Sequence, residues 1–302
     1  MRKTAVVEHL GLPLVSHHEV YGSAVDVIGH KALAQRHHDE EALILTAGLQ
    51  YEALARSGNL AGIRPPGYLP VHVTDKELRR LYRRLRDGTF SRMYYDRLID
   101  HAVDDRCPYC SDREPTTLDH YLAKSEFGVY AVLPINLVPS CDRCNSKKGN
   151  FEQSTRGQHG AVLHPYFDDV SEEHWLKATI VDNAGPVARF YVDQSAISDP
   201  ALRTRASSHL NALRLKKYFK VKAGQEINNL DRKLPAVLAK RGRAAVVDHL
   251  LDQADFRAGE RVNCWERAVY EALAESPWYL DVHLPTLPVR RIRPNRHEPI
   301  AL

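Results

Sequence analysis

Four cysteines in two Cys-x-x-Cys pairs, Cys107-Pro-Tyr-Cys110 and Cys141-Asp-Arg-Cys144, bracket the dipeptide Asp119-His120. Thiolates at this spacing suit a tetrahedral Zn2+, and four protein ligands leave no coordination position open, so the expected zinc is structural. Its binding is expected to contribute on the order of 10 kcal/mol to ordering the segment. Between the pairs lie groups that hydrolysis of a phosphodiester requires. The Asp119 carboxylate can offer oxygen to Mg2+ or Mn2+, and the His120 imidazole, neutral near pH 7, can take a proton from an attacking water. Neighbours on a regular strand point to opposite faces, so this pair is expected where a strand ends and bends. Asn136 and Asn145 supply amides nearby, but residue chemistry alone assigns them no role.

These groups need elements to hold them. If Cys141 to Lys148 opens a helix, Cys141 and Cys144 share a face and Asn145 lies about 100° further round, which puts the zinc and the second cation on neighbouring faces. Upstream, Thr74-Asp-Lys-Glu77 reads as a capping box for a helix with Leu78, Leu81, Tyr82 and Leu85 at helical spacing and Gly88 at its end. A second helix over Met93 to Val103 leads into the first cysteine pair. Ala42 to Arg56 is helical in pattern, and the breakers Gly58, Gly62, Pro65, Pro66 and Gly67 follow it. Downstream, Trp175 to Val181 and Val187 to Val192 flank Asp182-Asn-Ala-Gly185, a hairpin pattern. Helical spacing resumes from Pro200 to about Glu275, with interruptions expected near Gly224, Pro235 and Gly242.

The stretch from Arg106 to Asn150 resembles the cysteine-bearing branch of the HNH, or ββα-metal, endonuclease superfamily. The two cysteine pairs, Asp119-His120, Asn136-Leu137 and Cys144-Asn-x-x-Lys-Gly149 occur in the family's order. The resemblance implies that His120 is the general base, that Asp119 and Asn145 hold the catalytic metal, and that the side-chain carbonyl of Asn136 orients the His120 imidazole. It further implies in-line attack of water, leaving 5′-phosphate and 3′-hydroxyl ends. Arg143, Lys147 and Lys148 are expected at flanking phosphates. A looser resemblance takes in Arg92-Met-Tyr-Tyr-Asp96, Leu118-Asp-His-Tyr-Leu-Ala-Lys-Ser125 and Leu163-His-Pro-Tyr-Phe-Asp-Asp169. These look like stand-alone bacterial HNH proteins, some associated with phage defence, although Ala123 stands where such proteins commonly carry Pro. His164 either closes over the site onto the scissile phosphate or packs the helix exit.

The expected fold class is α+β, mainly helical, with a small ββα zinc-bearing core and a β-hairpin. Four regions are expected: helical 1–73, basic helices plus nuclease core 74–168, hairpin and helices 169–284, and a Pro/Arg-rich tail 285–302. The 302 residues carry a net charge of only +4, so a polyanionic partner is signalled by clustering. Basic residues cluster from Lys76 to Arg97 and again over Arg214-Leu-Lys-Lys-Tyr-Phe-Lys-Val-Lys222. Five cysteines, four of them paired at Cys-x-x-Cys spacing, fit metal binding better than a secreted disulfide framework. No run of roughly eighteen apolar residues occurs, and a cytoplasmic protein is expected. The expected partner is nucleic acid, DNA before RNA, together with a homodimer or a partner ATPase of a defence system; a double-strand cut needs two copies or two visits. The rival readings are an RNase and a zinc-stapled binding subunit that does not cleave. His17-His18 and His37-His38 have no second ligand cluster and are expected at the surface. Cys264 is expected as a buried apolar residue.

Overall fold

Helix α4 (Asp75–Asp87) shows how local sequence builds the scaffold in this computed structural model, which describes residues 9–63, 71–154 and 162–289. The Thr74 hydroxyl accepts from the Glu77 N–H, and the Glu77 carboxylate accepts in return from the Thr74 N–H, so the expected capping box forms. Acidic residues occupy the first turn and Arg84 and Arg86 the last, matching the helix dipole. Leu78, Leu81, Tyr82 and Leu85 form the buried stripe. A second capping box, Ser16 with Glu19, starts α1 (His17–Asp26), which packs on α4.

Around these stand α2 (Lys31–Asp39), α3 (Glu41–Arg56) and α5 (Arg92–Ile99). The last of these stops short of Val103, where a tight 3-10 turn follows with Asp104 and Asp105 at positive φ. Strands β1 (Thr117–His120) and β2 (Leu137–Ser140) pair antiparallel, Thr117 opposite Ser140 and His120 opposite Leu137. Helix α6 (Asp142–Ser154) follows at once. Together β1, β2 and α6 are the expected ββα element.

The described residues of 1–175, with 192–215 and 261–264, form one unit; those of 176–191, 216–260 and 265–302 form another. Helix α1 packs on α4, and α3 packs on the loop that follows β1, so elements on both sides of position 73 share the first unit. In the second unit, β3 (Leu176–Asp182) and β4 (Pro186–Val192) make the expected hairpin, with Ala184 and Gly185 at positive φ in its turn. Helix α9 (Trp265–Ala274) packs on β3. The first unit also holds α7 (Pro200–Ala212), N-capped by Asp199. Helix α8 (Leu215–Glu260) carries Gly224 and Pro235 within it and breaks only at Gly242, whose φ of 82° and ψ of 178° suit glycine. The fold is thus α+β, mostly helical with two small strand pairs. Part of the expected breaker cluster (Pro65, Pro66, Gly67) and the tail beyond residue 289 lie outside the described residues.

Candidate active site

The four-cysteine cluster comes together from two turns. Cys107 and Cys110 sit on a tight loop in which Cys107 O accepts from the N–H groups of both Cys110 and Ser111. Cys141 ends the run out of β2, and Cys144 lies on α6. The four Sγ atoms lie within 4.8 Å of one another and all four residues are buried. Burial pushes the Cys107 thiol well above its ordinary pKa, whereas hydrogen bonds from the other three sulfurs hold Cys141 down. A buried group of sulfurs at this separation fits a tetrahedral dication.

Asp119 and His120 are the last two residues of β1, where the chain leaves the ladder at Tyr121 with one further bond, Tyr121 N–H to Asn136 O. Asp119 is 4% exposed. Its Oδ2 accepts from the Tyr109 hydroxyl at 2.8 Å and lies 3.2 Å from the Lys148 ammonium. Burial raises the Asp119 pKa above the usual carboxylate value, with Lys148 and Tyr109 opposing. Its Oδ1 takes no hydrogen bond from the described residues, and hard carboxylate and amide oxygens suit Mg2+ or Mn2+. Asn145, half-buried one residue beyond Cys144, likewise has no hydrogen bond to its side chain among the described residues. This donor set fits the second cation, although Lys148 already sits at one face of the carboxylate.

The His120 imidazole packs edge-on against the Tyr82 ring, centroids 4.4 Å apart, and the Tyr82 hydroxyl is tied to Leu118 O at 2.9 Å. The ring's Nε2 lies 2.9 Å from Ala131 O. A carbonyl only accepts, so Nε2 carries the proton and, in the neutral ring, Nδ1 carries the lone pair. Burial first, and Lys124 second, pull the His120 pKa down to about 3, against the Ala131 bond. The His120 imidazole is therefore neutral, with a fixed tautomer.

The imidazole is oriented by the Ala131 carbonyl, where the resemblance implied the Asn136 side chain. Asn136, fully buried, spends its amide elsewhere: Oδ1 accepts from Leu122 N–H at 2.8 Å and the Tyr51 hydroxyl at 3.1 Å, and Nδ2 donates to Leu122 O and Tyr130 O. It closes the loop that presents Ala131. Gly128 lets this loop approach α4, because a Cβ there would collide with the Asp75 side chain, whose Oδ1 accepts the Gly128 N–H.

Two residues expected at phosphates are buried among protein partners. His164 is 2% exposed, its Nδ1 accepting from Tyr166 N–H, so its Nε2–H donates to the Tyr51 hydroxyl, which donates to Asn136. Of the two readings of His164 it is the packing one that the arrangement fits, and Tyr166 and Asp168 of the same motif hold Leu137 O and His164 N–H. Lys148 is 1% exposed, bound to Asp119 and, at 2.8 Å, to His120 O. Arg143 and Lys147 are half-buried on α6. His37, expected at the surface, is buried against Tyr21. The sequence assigns no site role to Tyr51, Tyr109 or Ala131 and gives Tyr82 only a place on the apolar stripe of its helix; Tyr51 and Asn136 stand 85 residues apart in the chain.

Residues 107–151 match the family model HNH endonuclease. The chain is 28% identical over 253 residues to Protein ea31 of Escherichia phage lambda, covering 75% of this chain and 83% of that one. No solved structure matches significantly. The HNH segment with its four-cysteine cluster fits the zinc-bearing branch of that family.

Proposed function

We propose that this chain is a metal-dependent endonuclease that hydrolyses phosphodiester bonds in DNA, with His120 as general base. The HNH segment makes a nuclease acting on nucleic acid the coarse reading. The observation that carries the finer one is the imidazole: neutral, fixed by Ala131, and with Nδ1 accepting no hydrogen bond from the described residues. Such an atom can accept a proton from water without first losing one. Ala131 O holds the ring as it becomes cationic, and Asn136 holds the loop that carries Ala131. Asp119 and Asn145 would hold Mg2+ or Mn2+, which when bound stabilises charge on the leaving oxygen. The four cysteines would hold the structural zinc that fixes the start of α6.

The products proposed are 5′-phosphate and 3′-hydroxyl ends, as the family resemblance implies. The setting proposed is restriction or phage defence in the cytoplasm, on the resemblance of the outer motifs to defence-associated proteins. None of the described helices is long and apolar enough to cross a membrane. A second copy of the chain in a homodimer would provide the second cut of a duplex, and a partner ATPase would mark a defence complex.

One observation favours a second reading. The Lys148 ammonium already neutralises Asp119, an arrangement that a non-cleaving binding subunit could retain. Incubating the zinc-loaded protein with supercoiled plasmid and with RNA, Mg2+ or Mn2+ present or withheld, separates the readings. Metal-dependent nicking that disappears in His120→Ala at unchanged zinc content supports the nuclease. Retention of DNA without cutting supports the binder, and cutting confined to RNA makes it an RNase.

A further inference from the structure

Two lysines stand near the candidate base, and they differ in what occupies them. Lys148 is committed to Asp119 and His120 O. Lys124 lies on the turn after β1, where Ala123 O accepts from the N–H groups of Glu126 and Phe127. Its Nζ sits 4.0 Å from the centre of the Tyr82 ring, the same ring against which the His120 imidazole packs at 4.4 Å. Lys124 is half-buried, and among the described residues no carboxylate or hydrogen-bond acceptor pairs with it. Its charged neighbour is another cation, Arg86, which together with burial lowers the Lys124 pKa. Tyr82 is buried and its hydroxyl is tied to Leu118 O, so the platform under the ammonium is rigid.

A half-desolvated ammonium beside a second cation is stabilised only weakly by a ring face and gains most from an anion. We propose that Lys124 is a catalytic residue that contacts a non-bridging oxygen of the scissile phosphate and holds it beside His120, with Tyr82 positioning it. The proposal rests on the nuclease reading. It assigns a task to a residue that lies between the two halves of the HNH pattern. The ammonium is fixed before the substrate arrives, so it stabilises charge that grows on the phosphate as water attacks.

The test uses the full-length zinc-loaded chain with Lys124→Ala and Lys124→Arg. Two quantities are read: steady-state cleavage of a short duplex DNA with Mn2+, and binding of the same duplex without Mn2+ as a function of salt. Lys124→Ala should lower kcat by roughly 10²–10³-fold with little change in KM, as for loss of one preorganised donor. Lys124→Arg should recover part of it. The slope of log affinity against log salt should fall by about 0.9 in the alanine variant, one phosphate contact fewer. Cleavage and salt slope indistinguishable from wild type would overturn the proposal. So would a loss that arginine does not relieve and that is accompanied by lost zinc or a lower Tm, since that marks a packing role. If the wild-type chain binds DNA and never cuts, the nuclease reading fails, and the salt slope still decides whether Lys124 contacts phosphate. A chain that binds neither DNA nor RNA of the same sequence overturns both.

Discussion

Replacing Lys148 by methionine should destabilise the protein strongly, and a divalent cation should give part of the loss back. The ammonium is 3.2 Å from Asp119 Oδ2, with the two side chains 1% and 6% exposed. Solvent screening therefore takes away little, and the Asp119 carboxylate would be left buried with only the Tyr109 hydroxyl as partner. Removing one member of a buried pair costs about 3–5 kcal/mol, most of it the uncompensated charge of the other. Asp119→Asn should cost less, because the ammonium keeps His120 O as acceptor. The double variant should be more stable than Lys148→Met alone, with a coupling energy of about 2 kcal/mol or more. Urea unfolding followed by tryptophan fluorescence at pH 7.5, with zinc measured on each variant, gives the four corners of the cycle. Adding Mg2+ should stabilise Lys148→Met more than wild type, since the carboxylate then has no resident cation. A loss below about 1 kcal/mol, additive single effects, or equal Mg2+ responses in the two proteins would refute the reasoning.

Stability should fall with acid for a different reason. His120, His164 and His209 are buried and neutral, their folded pKa values depressed by burial, to about 3 for His120 and about 4 for His209. The unfolded chain binds more protons below pH 6.5, so the stabilisation is complete above that value and is lost as pH falls towards the folded pKa. At pH 5 His120 and His209 should each cost about 2 kcal/mol, with His164 acting in the same direction, visible as a urea midpoint that drops between pH 7.5 and pH 5. His209→Gln, which keeps a donor for Tyr109 O, should flatten that drop. By the same shift the cleavage rate should show no imidazole limb between pH 5.5 and 8, checked by single-turnover kinetics. Cys107→Ser should release zinc and disorder residues 107–151, read by metal analysis and hydrogen exchange. Tyr51→Phe leaves the His164 Nε2–H without its acceptor and should cost about 1–3 kcal/mol in urea unfolding, with zinc retained.

What could be read from the sequence was what local rules govern. The capping box at Thr74, the turn at Asn183 to Gly185 and the cysteine pairs each depend on residues close together in the chain, and each forms. The surroundings of His120 depend on distant ones. His164 reaches Asn136 through Tyr51, partners 113 and 85 residues apart, and no spacing rule links them. Ala131 acts through a backbone carbonyl, which every residue carries and no side chain announces. Lys148 was legible in principle, since it lies four residues after Cys144 on the same helix and so faces the zinc side inward. Charge pointed to solvent, and helical phase, the better guide here, pointed to the core.

The hydrogen bonds of Asn136 to both the N–H and the C=O of Leu122 have a chemical corollary. Its carboxamide imitates a peptide unit, holding the chain two residues past the last true strand residue, His120. Aspartate has no N–H to give Leu122 O, and glutamine would carry the same group one methylene too far. Neither can stand in for it, so at this position a single side chain serves both backbone groups of Leu122 at once.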